Sequence, residues 1–209
     1  MKRSNSFLLA LLTVALLLIA ASCGEAPKTA EVKKEPPKPP EPVSGQYAFF
    51  QMFGAARTWA QDLHAMQMQS IALNEVKAEN GKYPAWRVQF VSDTRRAAKT
   101  YTYSVVTAEG LNKGIYGSAE ESYSGPRGQN SPFIIQAIKT DSTAAYEIAM
   151  KHGAAYAKKN PDMHITILLE NTKRFSNPAW RVIWGESAGT SNFSIYVDAS
   201  TGEYLQTMR

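Results

Sequence analysis

The 209-residue sequence predicts an α+β fold in which one unit, a helix packed on a short antiparallel β-sheet, occurs twice. The pentapeptide PAWRV at residues 84–88 returns unchanged at residues 178–182, an offset of 94 residues. Each copy follows an alanine-rich stretch of helical periodicity and lies among segments in which apolar and polar residues alternate. A repeat of this length is a small domain rather than one turn of a solenoid.

The predicted elements follow the same order in both halves. The first unit spans residues 45–110 and begins with a helix from Tyr47 to about His64. The second unit spans residues 133–209 and begins with a helix from Thr143 to Lys159, for which Asp141 or Ser142 is the N-cap. Three strands are predicted after each helix, around residues 71–73, 86–90 and 101–105 and around residues 167–169, 180–184 and 193–197.

The first 22 residues have the features of a secretory signal peptide. Lys2 and Arg3 precede an apolar run over residues 7–21, which is short for a membrane span. Cys23, the only cysteine, follows small residues and cannot form an internal disulfide. This ending resembles the signal sequences of bacterial lipoproteins, and the resemblance implies that Cys23 is lipidated, with acyl chains such as palmitate, and becomes the mature N-terminus. Ordinary cleavage, with Cys23 as an incidental thiol, is the alternative.

Together with Cys23, residues 24–44 form a linker rich in Pro, Lys and Glu that holds six of the eleven prolines. It has almost no apolar residue to bury, so we expect a disordered, extended tether. A spacer is the simplest role, and a Pro-rich ligand for another domain is the alternative. Gly24 after the cysteine resembles outer-membrane sorting, so we expect a lipid-anchored protein of the bacterial outer membrane that faces the periplasm.

Charge and composition exclude several classes of function. The net charge of +5 falls to +3 without Lys2 and Arg3, and the remainder has no basic cluster of the kind that binds nucleic acid. None of the three histidines has a metal ligand at binding spacing, so we expect no metal and no other cofactor. The sequence has no nucleophile motif or phosphate-binding loop, and we expect that the protein is not an enzyme.

The end of the second unit carries a family resemblance. It reads YVDASTGE over residues 196–203, after a strand that contains Trp180 and Val182. These residues resemble the PepSY domain family, and the first unit does so only through the internal repeat. The resemblance implies a PepSY or cystatin-like unit, a helix on a small sheet, that serves as a binding or inhibitory module of exported proteins and has no catalytic residues of its own.

The repeated tryptophans are predicted to lie in the core. Trp86 and Trp180 share a strand face with other apolar residues, the face that a helix would bury. Arg87 and Arg181 then point to the opposite face, where an acid or the solvent is the usual partner and recognition is the alternative. Asp198 is predicted to bond its own backbone in the closing turn.

Residues 111–132 are predicted to form a Gly- and Ser-rich loop between the units. Pure linkers seldom keep tyrosines and an arginine, so Tyr116, Tyr123 and Arg127 are candidate binding residues. A packed connection between the units is the alternative. Residues 133–138 are predicted to form a further strand that leads into the second helix.

These observations predict a membrane-anchored envelope lipoprotein that acts as a non-catalytic protein- or peptide-binding module, for example one that modulates a protease. Its expected contacts are the membrane, through the N-terminal lipid, and an envelope protein or peptide. A structural envelope component without a discrete ligand is the alternative, and a hydrolase with unfamiliar catalytic residues is a distant one.

Overall fold

An eight-stranded antiparallel sheet with helices on one face dominates the computed structural model, which describes residues 38–126 and 128–209. The predicted signal peptide, Cys23 and most of the linker lie outside the described residues. The elements in chain order are β1 (Val43–Ser44), α1 (Gly45–Ala56), β2 (Leu63–Ile71), β3 (Lys82–Tyr83), β4 (Ala85–Ser92), β5 (Ala97–Ser104), β6 (Gly114–Ser122), a 3₁₀ turn (Ile135–Ala137), α2 (Ser142–His152), α3 (Ala154–Lys159), β7 (Ile165–Glu170), β8 (Ala179–Trp184), β9 (Phe193–Asp198) and β10 (Tyr204–Met208).

The sheet is larger than the two short sheets that the sequence predicts. Its strand order is β10-β9-β8-β7-β2-β4-β5-β6, so strands from the two halves form one layer. The halves meet where Gln67–Gln69 of β2 pair with Leu168–Glu170 of β7. Beside this pairing, the Ile167 amide donates a 2.9 Å hydrogen bond to Ser70 Oγ. The fold is therefore α+β, as predicted, but its sheet is continuous. β1 and β3 pair separately.

The starts of α1 and α2 are held together because two residues at the start of α2 cap both helices. Asp141 caps α2 by accepting from the Ser142 amide, as predicted, and its Oδ1 also accepts from the Gln46 amide of α1 at 2.9 Å. Ser142 Oγ accepts from the Gly45 amide at 2.7 Å and donates to the Gly81 carbonyl, also at 2.7 Å. Backbone amides at a helix start have no partner within their own helix, so the bonds from the Gly45, Gln46 and Ser142 amides satisfy groups that would otherwise be unpaired.

Trp86 and Trp180 lie in one hydrophobic core, which confirms their predicted burial. Neither residue is exposed, and their ring centroids lie 6.4 Å apart in an edge-on arrangement. Each indole nitrogen donates to a backbone carbonyl, that of Val43 for Trp86 at 3.0 Å and that of Thr140 for Trp180 at 2.8 Å. The two copies of the pentapeptide thus contribute matching side chains to the centre of the molecule.

Both predicted helices differ from the observed ones. The first ends at Ala56 rather than near His64, because residues 63–71 pair along their length with β4 and so form a strand. The second is divided at Gly153, where an added Cβ would lie only 2.8 Å from Trp184 Cη2. A side chain there would collide with the core, and the close approach explains the glycine.

The connection between the halves is more ordered than predicted. The segment predicted as a loop contains β6, which pairs with β5 along the outer edge of the sheet. The predicted strand over residues 133–138 is instead a single bridge between Phe133 and Ala65, followed by the 3₁₀ turn. Two residues before Phe133, the Ser131 amide donates a 2.8 Å hydrogen bond to the Asn171 carbonyl. The connection therefore packs between β2 and the segment that follows β7.

Candidate functional site: the open face of the sheet

The sheet face opposite the helices, here called the open face, carries a row of polar side chains in the first half of the chain. Alternate residues of β2, β4 and β5 point to this face. Direct pairing aligns Gln69 with Arg87 and Thr102, and Gln67 with Gln89 and Thr100. We call these six residues the polar strip: Gln67, Gln69, Arg87, Gln89, Thr100 and Thr102. All six are half-buried or exposed.

The polar strip supplies hydrogen-bonding groups rather than acids or bases. Arg87 is exposed, as predicted for the residue after Trp86, and its partner is an amide rather than an acid: Nη2 donates to Gln69 Oε1 at 3.0 Å. The other side chains are amides and hydroxyls, which both donate and accept. A guanidinium among such groups can bind carboxylates or carbonyl oxygens of a partner.

Three neighbouring depressions lie along the open face. One of 210 Å³ is lined by the polar strip itself. A second of 240 Å³ shares Gln67 and Gln89 with the first and is bordered by Tyr123 and Asn130. A third of 400 Å³ lies between Thr102, Tyr116 and the turn at residues 108–112. All three are open and shallow, which suits a protein surface or an extended peptide better than a small enclosed ligand.

The structure places two of the three predicted binding residues on the open face. Tyr116 pairs with Thr102 in the sheet and is 62% exposed, while Tyr123 follows the end of β6 and is half-buried. They are seven residues apart along an extended chain, about 20 Å, so they flank the polar strip rather than forming one cluster. Arg127 lies outside the described residues.

In the second half of the chain, side chains on the open face form hydrogen bonds and ring contacts with one another. Arg181, the counterpart of Arg87, lies with its guanidinium carbon 5.2 Å from the centre of the Tyr196 ring and donates from Nε to Ser194 Oγ at 3.0 Å. Tyr196 donates to Glu170 Oε1 at 3.4 Å, and Phe175 packs against the Tyr196 ring. The face that is free in the first half is therefore occupied here by the protein's own side chains.

Burial sets the protonation behaviour of this covered cluster. Loss of solvent raises the pKa of Glu170 above its usual value, and the nearby Arg181 opposes that shift only in part. The pKa of Tyr196 is raised for the same main reason. Both groups therefore favour their neutral forms more than they would in water, which matches their contacts within the fold.

Other predicted positions serve the fold. Asp198 Oδ1 accepts from the amides of Ser200 and Thr201 at 2.7 and 2.9 Å, which confirms its predicted role in the closing turn. Gly202 ends this turn with φ of 78°, a conformation that favours glycine. His152 stacks on Tyr204 with the ring centres 4.0 Å apart. These residues hold the end of the sheet together.

Within residues 38–126 and 128–209, no group of three or more His, Cys, Asp or Glu side chains is arranged to hold a metal ion. In the same ranges, no helix is long and apolar enough to cross a membrane.

The glutamines and threonines of the polar strip are not identified by the sequence analysis. The sequence feature that could have identified them is the alternation of polar and apolar residues. Gln67 and Gln69 flank Met68, and Arg87 and Gln89 flank Val88. Alternation shows that they share a face within each strand. That β2 lies beside β4, and so brings the two pairs together, depends on strand pairing that the sequence does not specify.

Comparison with known proteins gives one similar structure. The sequence matches no protein-family model and no curated protein at a significant level. Among solved structures, the chain is similar to the crystal structure of a candidate lipoprotein from Clostridium difficile 630, with 11% sequence identity and a TM-score of 0.45. The similarity covers 77% of this chain and 91% of the other.

Proposed function

We propose that this protein is a non-catalytic envelope lipoprotein that binds a protein or peptide partner through the polar strip of its open face. The observation that carries the proposal is the asymmetry between the two halves. The open face is filled by Glu170, Arg181 and Tyr196 in one half, and is left exposed around Arg87 in the other. A polar, partly exposed sheet face of this kind is suited to hydrogen bonding with a partner.

The chemistry of the polar strip favours binding over catalysis. Guanidinium, amide and hydroxyl side chains are poor general acids and bases at neutral pH, so the strip supplies binding groups rather than proton-transfer groups. The Arg87 guanidinium offers a fork of donors to a carboxylate or to backbone carbonyls. The partner that fits best is therefore an acidic or extended polypeptide surface.

We further propose that the two halves are PepSY-like units fused side by side. In support, the strands that follow each helix run in chain order from the centre of the sheet to one edge, apart from the short β3. Trp86 and Trp180 also make the same kind of indole-to-carbonyl bond. The fusion joins the first sheet strand of each unit, which leaves the outermost strands, β6 and β10, as the edges.

Site-specific photo-crosslinking in the native envelope tests the binding proposal. A photoreactive residue at Gln89 is expected to capture one defined partner, and the same residue at Gln51, exposed on α1, is the control on the helix side. Arg87→Ala is expected to reduce capture at position 89 about tenfold, because truncating a central interface arginine commonly costs more than 1 kcal/mol.

Capture at position 51 and not at position 89 would place the partner on the helix side and contradict the proposal. Capture at neither position would favour a structural envelope component.

Membrane attachment is tested separately through Cys23. The full chain is expected to enter the detergent phase in a partition experiment, and Cys23→Ser to remain in the aqueous phase, because each buried acyl methylene contributes about 0.8 kcal/mol of membrane affinity. Equal partition of the two proteins would show that Cys23 is not the anchor and would leave the binding proposal unaffected.

A further inference from the structure

β6 presents an unprotected edge of the large sheet. It is nine residues long and pairs with β5 on one side, while no other strand of the described residues pairs with its second side. An edge strand exposes unpaired amides and carbonyls that can pair with another chain. Proteins usually protect such a strand with proline or with lysine and other charged residues. Residues 114–119 of β6 contain no charged residue and no proline.

Exposed apolar side chains flank this edge on the helix side. Ile115 is paired with Tyr103 and is 40% exposed. The Tyr103 ring contacts Tyr47 of α1 edge-on, with centroids 6.0 Å apart, and Phe50 follows one helical turn later. Tyr47 and Phe50 are 49% and 47% exposed. We call Tyr47, Phe50, Tyr103 and Ile115 the β6 patch.

The opposite edge of the sheet is different. β10 has five residues, and the Tyr204 ring at its start stacks on the His152 ring of α2 but remains 39% exposed. Beside β6, by contrast, three exposed apolar side chains lie together: Tyr47, Phe50 and Ile115. Apolar side chains gathered at an unpaired strand commonly mark an interaction site.

We propose that β6 pairs in antiparallel fashion with β6 of a second copy of this chain, giving a two-fold symmetric dimer with one sheet twice as wide. Charge complementarity favours this occupant. Lys113 precedes the strand, and Glu120 and Glu121 lie near its end. Antiparallel self-pairing brings the basic start of each copy beside the acidic end of the other, whereas parallel pairing would align like charges.

The position of the β6 patch agrees with this geometry. A two-fold axis perpendicular to the sheet keeps the helices of both copies on the same side. Because α1 packs over β2, β4, β5 and β6, mainly over β4 and β5, the two α1 helices would lie about four strand spacings apart, roughly 19 Å. Close-packed helices lie about 8–10 Å apart, so large side chains must fill the gap. Tyr47, whose ring contacts Tyr103 of β5, and Phe50 one helical turn later are exposed aromatic residues that can help to fill this gap.

The expected dimer is weak. The pairing of β6 with β5 is irregular between Lys99 and Tyr101, which divides β6 into two short regular stretches, Gly114–Gly117 and Glu120–Ser122. In the second stretch, Glu120 accepts hydrogen bonds from Trp59 and Arg95 at 2.8 and 3.1 Å. Short pairing stretches, together with the four residues of the β6 patch from each copy, suit a weak dimer that forms as the protein concentration rises.

Sedimentation equilibrium of residues 39–209, which contain the whole hydrophobic core, tests the proposal over a concentration series. Wild type is expected to dimerise reversibly. Ile115→Lys is expected to raise the dissociation constant about 100-fold, because the change occurs twice in the dimer and each loss is worth about tenfold. The matched control is Ile134→Lys, since Ile134 is 52% exposed and lies outside the β6 patch; it is expected to dimerise as wild type does.

Amide hydrogen exchange locates the interface. With rising concentration, amides of β6 are expected to gain protection while those of β10 do not. A monomer at every concentration, a dimer that Ile115→Lys leaves intact, or protection that appears in β10 instead would each overturn the proposal. Arg87→Ala is expected to leave the dimer unchanged, so the outcome is separate from that of the proposed partner binding.

Discussion

Two glycines of α1 are expected to respond to alanine in opposite directions. At Gly45 a new Cβ would lie 2.8 Å from Trp180 Cη2 and 3.1 Å from Trp86 Cη2. Overpacking of this kind costs about 1–3 kcal/mol. The gain in helix propensity is at most about 1 kcal/mol and is smaller at the first helical position. We therefore expect Gly45→Ala to lower the free energy of unfolding by about 1–2 kcal/mol.

Gly54 provides the matched control in the same helix. It is exposed, and a Cβ there would have no atom within 4 Å. Gly54→Ala is therefore expected to raise the free energy of unfolding by about 0.5–1 kcal/mol through reduced backbone entropy of the unfolded chain. Urea unfolding of residues 39–209 measures both changes. A Gly45→Ala protein as stable as wild type would refute the argument, because it would mean that the indoles separate without cost.

Three further substitutions test single contacts by the same assay. Ser142→Ala leaves the Gly45 amide and the Gly81 carbonyl without their hydroxyl partner and is expected to cost about 2–3 kcal/mol; a loss below about 0.5 kcal/mol would contradict this. Burial raises the pKa of Glu170 above 4.5, so its ionised form costs stability as pH rises. Glu170→Gln is expected to be more stable than wild type at neutral pH, with an advantage that vanishes well below pH 4.5; an advantage independent of pH would count against burial as the cause. Hydrogen bonds from Ser92 at the end of β4 and from Thr94 in the turn after it hold the pKa of Asp62 well below its usual 3.8, so its charge stabilises the fold. Asp62→Asn is expected to lose stability at neutral pH, and this deficit should shrink as pH falls below 3.8, whereas a constant deficit would exclude the charge as its source.

Features that depend on neighbouring residues could be predicted from the sequence. The alternation around Trp86 and Trp180 predicts their burial because a strand directs successive side chains to opposite faces. Asp141 as a helix cap and Asp198 as a turn residue follow from the reach of a short carboxylate to nearby amides. Each of these predictions is confirmed, because the interaction lies within a few residues of the chain.

Features that depend on distant pairing could not be predicted. The residues after Ala56 include helix formers such as Arg57, Gln61 and Leu63, but pairing of β2 with β4 outweighs their local preference. β6 has the Gly, Ser and Glu content of a loop and forms a strand because β5 offers it a partner. The polar strip depends on the same long-range pairing, so the direction of Arg87 was predictable and its glutamine neighbours were not.

The capping of α1 by residues of the second half bears on the order in which the protein can be made. The amides of Gly45 and Gln46 find their partners 97 and 95 residues later in the chain. Ribosomes release the chain from its N-terminus, so the first half emerges while its helix start and the inner edge of β2 still have no partners. A first half released alone would expose an open strand at each side. Completion of its fold must wait for Asp141, Ser142 and β7, which all lie in the last third of the chain, so this part must be made before the molecule can reach its native state.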